Sequence, residues 1–177
     1  MGIVVGAALV IGHILAILHA KDVKKWLLAF PRSKAMGMVL LGVVSAWAFW
    51  LVATMDLGEF SNYRTGLEIL VPVSAFLCLQ YVNEFLPVRT LGILLLLLAE
   101  PVMEAAFLRP EASRLLLVVL AYAWVVLGLF WVGMPYLLRD QIGWLIQSNA
   151  RWKAACAGGV AYGAALIISA LAFYNQS

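Results

Sequence analysis

Residues 94–108 read LLLLLAEPVMEAAFL, a run of five leucines that leads into Glu100 and Glu104, with Pro101 between them. Leucine is favourable in lipid, whereas a carboxylate there is costly. The two glutamates are four residues apart and therefore share one face of a helix. This stretch predicts a membrane helix whose acidic face is turned inward, toward other helices or water.

The composition of the whole chain also points to lipid as its solvent. Of the 177 residues, 65% are hydrophobic and only 12% are charged, and the mean hydropathy is +0.99. A soluble domain has about 25% charged and about 45–50% apolar residues. The apolar runs are long and unbroken, whereas a membrane β-barrel has alternating segments of about ten residues. The predicted fold class is therefore an all-α integral membrane protein.

Six segments are apolar and long enough to cross a bilayer. A crossing helix needs about 20 residues for a hydrocarbon core of about 30 Å. We predict a single transmembrane domain, residues 1–177, with six transmembrane helices in one bundle near 2–20, 35–55, 68–86, 90–108, 114–138 and 154–174. The expected localisation is multi-pass in a membrane, either a plasma membrane or the inner membrane of a bacterium.

The basic residues predict the orientation, because cytoplasmic loops carry an excess of Lys and Arg. With both termini outside, the outer side holds three of the 12 basic residues, Arg64, Arg109 and Arg114. The inner side then holds Lys21, Lys24, Lys25, Arg32, Lys34, Arg89, Arg139, Arg151 and Lys153. We therefore predict an N-out/C-out topology. The same inner excess accounts for the net charge of +3, so no nucleic acid partner is predicted.

Apolar residues at helical spacing predict short interfacial helices on the inner side. After the first span, the pattern i, i+3, i+4, i+7 is filled by Val23, Trp26, Leu27 and Phe30. After the fifth span, a similar face consists of Ile142, Leu145 and Ile146. Amphipathic helices of this kind lie in the plane of the interface with their apolar face in the acyl region. The expected partner of both faces is the lipid bilayer.

Small residues recur at every fourth position in two spans, which predicts close approach of helix backbones. The first span has Ala8, Gly12, Ala16 and Ala20, and the sixth has Ala155, Gly159 and Gly163. The pattern leaves open whether these contacts form within one chain or between the copies of a homo-oligomer.

The fourth span holds a charge near its middle. Glu100 follows Arg89 by 11 residues, which is roughly 16 Å along a helix. The apolar residues of this span contribute roughly −5 kcal/mol to insertion, whereas one central carboxylate costs about +3 kcal/mol. Pro101 removes a helical hydrogen bond and disfavours helical geometry at the preceding residue. We therefore predict that the helix kinks or breaks at Pro101; if it breaks, Glu100 lies at the N-terminus of the second half.

Four other polar side chains reach a similar depth: His13, Gln80, Tyr122 and Tyr162. If their spans face inward together, they form an ion, proton or substrate site with the two glutamates. Alternatively, the glutamates are neutral, hydrogen-bonded packing residues. His13 is interpreted as a core histidine, a proton-relay partner of Glu100, or a ligand of haem or a pigment. The cofactor is therefore either none or a haem or pigment bound to His13, and no metal site is predicted.

A polar patch near the inner surface consists of Gln80, Asn83 and Glu84, and Glu84 lies five residues before Arg89. The two side chains are predicted either to form an interfacial ion pair or to mark a mouth that leads toward Glu100.

Two functional hypotheses follow. The first is transport of protons, cations or a small solute through an intramembrane Glu/His site. The second is a non-catalytic subunit or scaffold of a membrane complex, including one that carries haem or a pigment. A membrane enzyme that acts on lipid is a third hypothesis. The sequence has no HExxH, GxSxG, Walker or CxxC motif, which favours a protein that is not an enzyme.

Overall fold

Eight α-helices make up the described part of the chain. The computed structural model describes residues 1–82, 84–107 and 114–174, with side chains to residue 172. The helices are α1 Gly2–Leu18, α2 Ala20–Ala29, α3 Lys34–Thr54, α4 Arg64–Tyr81, α5 Leu86–Ala106, α6 Arg114–Gly133, α7 Tyr136–Ile146 and α8 Asn149–Tyr174. Short 3-10 helices, Phe30–Arg32 and Gly58–Tyr63, precede α3 and α4. The predicted all-α class is confirmed.

Each of the six predicted spans overlaps one long helix: α1, α3, α4, α5, α6 or α8. Within the described ranges, four helices are long and apolar enough to cross a membrane: Lys34–Thr54, Leu86–Ala106, Arg114–Gly133 and Asn149–Ala172. A bent pair, α1 followed by Ala20–Arg32 at 104°, makes a fifth if it is one span. The class of multi-pass membrane protein fits these helices, and a total of six spans stays a prediction. The predicted end of the fourth span at residue 108 and the predicted outer residue Arg109 lie outside the described residues.

Of the six helices that overlap predicted spans, α1 and α4 are not long or apolar enough to cross a membrane on their own. Before its 104° bend, α1 has only 17 residues. The 18 residues of α4 include Arg64, Glu68 and Gln80, which lower its mean hydropathy. Length and composition alone therefore leave α4 without a membrane assignment, and they assign α1 to the membrane only as part of the bent pair.

Two helices also end earlier than predicted. The third predicted span extends to residue 86, but α4 ends at Tyr81 and α5 begins at Leu86. Phe85, the residue before α5, has a left-handed backbone with φ 56°, which no helix continues through. The fifth predicted span extends to residue 138, but α6 ends at Gly133. Pro135 follows closely and cannot donate a helical hydrogen bond, so a new helix, α7, starts after it.

The helices form two closely packed pairs, α1 with α8 and α5 with α6. A cluster of buried side chains joins the pairs, and it consists of Ala99, Val102 and Ala106 of α5, Leu117 and Ala121 of α6, and Leu166 of α8. Helix α3 packs on α5, and α4 packs mainly on α3. The bundle therefore has α4 at its edge.

Glycines determine how closely each pair approaches. A Cβ added to Gly163 would lie 2.8 Å from the Gly6 carbonyl oxygen, and one added to Gly92 would lie 2.8 Å from the Gly128 oxygen. Any side chain at these positions would push the backbones apart. The predicted role of Gly163 in close packing is therefore confirmed, and this contact forms within the chain.

The small-residue ridge predicted on α1 does not make a contact within the chain at Ala8 and Gly12, and a contact between copies stays a prediction. Gly12 has open space where a Cβ would stand, and Ala8 is exposed. The face that meets α8 instead contains Gly6 and His13, two helical turns apart. A helix contacts its neighbour through one stripe, and the glycine nearest the partner backbone determines which stripe is used.

The segments predicted to lie on the inner side meet at one end of the bundle, which we call the basic end. It is formed by α2, α7 and the first turns of α3, α5 and α8. A buried cluster there contains Phe30, Val88, Leu138 and Ile142, with Leu27 and Ile146 packed against it. The two predicted short helices are therefore present. Part of each apolar face is covered by protein rather than by lipid, and their position on a leaflet stays a prediction.

One polar contact fixes α2 against α8 at the basic end. The Lys24 ammonium donates a hydrogen bond to Asn149 Oδ1 at 2.7 Å and lies 5.2 Å from the centre of the Trp152 ring. Since Asn149 is the first residue of α8, this contact joins the middle of α2 to the start of α8.

Candidate functional site

The acidic face of α5, defined by Glu100 and Glu104, is exposed. Both side chains line an open cavity of about 550 Å³ together with Leu96, Ala99, Met103, Phe107 and Val125. The opposite side of the helix is buried, with Val102 at 2% and Ala106 at 3% exposure. Successive residues of a helix are about 100° apart, so Glu100 and Val102 must point to nearly opposite sides.

The predicted inward orientation of the two glutamates is therefore wrong for the single chain. The side of α5 that meets α6 and α8 carries small or β-branched residues, Ala99, Val102 and Ala106. These residues let the helices approach closely, whereas two glutamates on the same side would hold them apart. Among the described residues, neither Glu100 nor Glu104 has a hydrogen bond or an ion pair.

Pro101 lies inside a helix that runs from Leu86 to Ala106 without interruption. A break at Pro101 is therefore wrong, whereas the kink predicted as its alternative stays a prediction. A proline removes one backbone hydrogen bond and crowds the preceding turn. However, Ala99, two residues before Pro101, and Val102, directly after it, are buried against neighbouring helices. This packing keeps the helix continuous across the proline.

His13 lies in the contact between α1 and α8. Its Nδ1 lies 2.7 Å from the Leu9 carbonyl oxygen; since a carbonyl only accepts, this nitrogen is the donor. Its other nitrogen, Nε2, is next to Gly159, where an added Cβ would clash with the ring. The space that a macrocycle would need at Nε2 is taken by the α8 backbone, so these residues do not fit a haem or pigment. His13 instead has the geometry of a packing residue.

The remaining predicted site residues are dispersed. Tyr162 is half-buried and donates a hydrogen bond to the Leu116 carbonyl oxygen at 2.7 Å, which links α8 to α6. Gln80 and Tyr122 are exposed on α4 and α6. The cavity beside Glu100 contains none of His13, Gln80, Tyr122 and Tyr162. The position of a residue along a span indicates only its depth in the membrane. The sequence therefore does not indicate in which direction each side chain points.

The predicted ion pair between Glu84 and Arg89 does not form, and Asn83 of the predicted polar patch lies outside the described residues. Arg89 Nη1 instead donates to the Val132 carbonyl oxygen at 2.9 Å, and Arg89 Nε is buried with no hydrogen-bond partner in the described part of the chain. The ion pair found within residues 1–82, 84–107 and 114–174 joins Arg139 and Asp140 at 2.9 Å. The sequence indicated only that Arg89 is a basic residue close to the start of a span. It did not indicate that one of its guanidinium nitrogens is unpaired.

Three features of the described residues are therefore unexplained by packing: the acidic face of α5, the unpaired Nε of Arg89 and the unpaired Nε1 of Trp152. Among the described residues, no group of three or more His, Cys, Asp or Glu side chains has a geometry that would hold a metal ion. Function resides in such local sites rather than in a fold class. In comparisons with known proteins, the chain matches no family model, no curated protein and no solved structure.

Proposed function

We propose that this protein is a non-catalytic subunit of a membrane assembly and that the acidic face of α5 is the surface that meets the partner. The observation that carries the proposal is the exposure of Glu100 and Glu104 on a helix that is long and apolar enough to span a membrane. Glu100 lies six residues before the end of α5, which is roughly 9 Å inside the helix.

An exposed carboxylate at this depth is unfavourable in lipid. Insertion scales give about +2.5 to +3.5 kcal/mol for an acidic side chain at the centre of a span, and such residues normally face other helices or water. The neighbouring helices already occupy the opposite side of α5. A second molecule that covers the acidic face would therefore remove this cost.

The chemistry of the cavity specifies the partner. Leu96, Met103 and Phe107 give it an apolar lining, and the two carboxylates offer hydrogen-bond acceptors one helical turn apart. A transmembrane segment with a basic or hydrogen-bond-donating side chain at the matching depth would satisfy both parts. Charge-assisted hydrogen bonds of this kind are about twice as strong as neutral ones.

Site-specific photo-crosslinking in native membranes tests the proposal. A crosslinking residue at Met103, on the acidic face, should give a defined adduct with a membrane protein. The same residue at Val43, which is exposed on α3, is the control. Equal adducts at both positions, or none at Met103, would contradict the proposal.

Charge removal provides the second arm of this test. The double variant Glu100→Ala, Glu104→Ala should lower the yield of the Met103 adduct at least about tenfold, which corresponds to the loss of roughly 1.4 kcal/mol. The matched control is Glu59→Ala, Glu68→Ala, which removes two carboxylates from outside this face. If both double variants retain the adduct, the carboxylates do not hold the partner.

Movement of protons or cations is a second candidate, and it rests on one observation. Glu100 and Glu104 line the same open cavity, so a cation that reached one carboxylate would find the second about one turn away. Because the cavity is open on the outside of the bundle, the rest of the path would have to come from the partner. Purified protein in liposomes, without the partner, should show no flux of protons or cations. A flux that is present and is lost in the variant Glu100→Gln would favour transport.

A further inference from the structure

The helices leave an open cleft between them at the basic end of the bundle. It has a volume of about 400 Å³ and lies where α3 begins, α4 ends and α5 begins, with Arg32, Lys34, Glu84, Met38 and Leu79 in its wall. A second cavity of about 360 Å³ shares Val82 and Glu84 with it and contains Arg89. We call the two together the basic cleft.

Arg89 is the unsatisfied group in this cleft. One guanidinium nitrogen, Nη1, is bonded to the Val132 carbonyl oxygen, while Nε is buried without an acceptor in the described part of the chain. A buried donor left unpaired is unfavourable, and more so when it is charged. Arg89 lines the cavity, and an anion with several oxygen atoms would pair with its guanidinium, because the planar group matches phosphate and carboxylate geometry.

The charge of the cleft favours an anion. Arg32, Lys34 and Arg89 carry three formal positive charges and Glu84 one negative charge, which leaves a net of +2. Glu84 forms no ion pair that would cancel the charge of a neighbour within the described residues. The first residues of α3 and α5 also line the cleft, and the helix dipole favours negative charge near a helix N-terminus.

The cleft has an apolar side as well. Met38 and Leu79 line it and are exposed. A ligand with a phosphate group and a hydrocarbon chain would match both sides. Basic pockets between transmembrane helices on the cytoplasmic side are where anionic lipid headgroups bind.

We propose that the basic cleft binds the phosphate group of an anionic phospholipid, with Arg89 at its floor and Arg32 and Lys34 at its rim. The lipid phosphate accepts hydrogen bonds from Arg89 and from the rim side chains, and an acyl chain lies along Met38 and Leu79. The basic cleft lies at the start of α5, whereas the acidic face lies near its end. The proposal therefore does not depend on the proposed subunit function.

Native mass spectrometry of the full-length protein in a mild detergent tests the proposal. The probes are phosphatidylglycerol, phosphatidylcholine and inorganic phosphate. We expect one tightly held phosphatidylglycerol per chain and no comparable retention of phosphatidylcholine. The variant Arg32→Gln, Lys34→Gln should weaken this binding at least about tenfold, since it removes two charged donors of hydrogen bonds to the phosphate.

The control variant is Lys25→Gln, Lys153→Gln, which removes the same charge from exposed positions at the same end but outside the cleft. It should bind phosphatidylglycerol within about twofold of the parent protein. Equal retention of phosphatidylcholine, or equal loss in both double variants, would overturn the proposal. Binding of inorganic phosphate without selective retention of phosphatidylglycerol would also overturn it and assign the cleft to a free phosphate compound. Arg32 and Lys34 are exposed, so folding of the test variant is expected.

Discussion

The imidazole of His13 occupies the space that a side chain at Gly159 would need. The ring is held in this position by the hydrogen bond from Nδ1 to the Leu9 carbonyl oxygen at 2.7 Å. A histidine on α1 and a glycine on α8 are therefore complementary in shape, and the contact between these helices depends on both.

The substitution Gly159→Val should destabilise the folded protein by about 1–3 kcal/mol, since the new side chain displaces the ring and breaks its hydrogen bond. The neighbouring substitution Gly158→Val is the control, because nothing lies within 4 Å of a Cβ at Gly158. Thermal unfolding in detergent measures the difference. The double variant His13→Ala, Gly159→Val should recover part of the loss, and equal midpoints for the two glycine variants would refute the contact.

The α5–α6 pair should respond in the same way to a smaller change. In Gly92→Ala, the added methyl group would lie 2.8 Å from the Gly128 carbonyl oxygen, and a backbone atom cannot rotate away. We expect a loss of about 1–3 kcal/mol of unfolding free energy. Gly42→Ala on α3 has open space, so it should be neutral or slightly stabilising. A Gly92→Ala variant as stable as Gly42→Ala would contradict the close approach of the two backbones.

Tyr162 and Tyr122 are predicted to differ when each loses its hydroxyl group. Tyr162→Phe removes the hydrogen bond to the Leu116 carbonyl oxygen and should lower stability by about 0.5–1.5 kcal/mol. Tyr122 is exposed, and Tyr122→Phe should change stability by less than about 0.5 kcal/mol. Chemical denaturation of the two variants side by side provides the comparison, and an equal effect would show that the Tyr162 bond is not formed.

Removing a glutamate from the acidic face should not harm the isolated chain. Glu100→Leu places an apolar side chain where the structure has an exposed carboxylate without a partner in the described residues, so the unfolding midpoint in detergent should stay the same or rise. Ala99→Leu, one residue earlier, faces the buried cluster and should destabilise by about 1–3 kcal/mol through overpacking. A large loss in Glu100→Leu would mean that Glu100 is a packing residue of the fold.

The positions of the helices could be predicted because they depend on quantities that a sequence displays directly. The long apolar runs located α1, α3, α4, α5, α6 and α8, and the spacing of apolar residues located α2 and α7. The ends were less accurate where a local conformation decided them, as at Phe85 with its left-handed backbone.

The candidate site could not be predicted because it depends on rotation about each helix axis. The desolvation cost of Glu100 favoured an inward direction for its side chain. The sequence does not show that Ala99, Val102 and Ala106 fit more closely against α6 and α8. Packing determined the direction, and the carboxylates were placed outside. The same competition placed Gly6 rather than Gly12 against α8.

Helix α4 has no buried residue along its whole length and packs mainly on α3. In a folded protein, segments with few buried contacts open locally at a lower free energy than the global unfolding free energy. The amide hydrogens of α4 should therefore exchange with solvent deuterium sooner than those of α5, and they should do so without unfolding of the α5–α6 pair. The bundle then consists of at least two cooperative units, and disassembly begins at the α3–α4 contact.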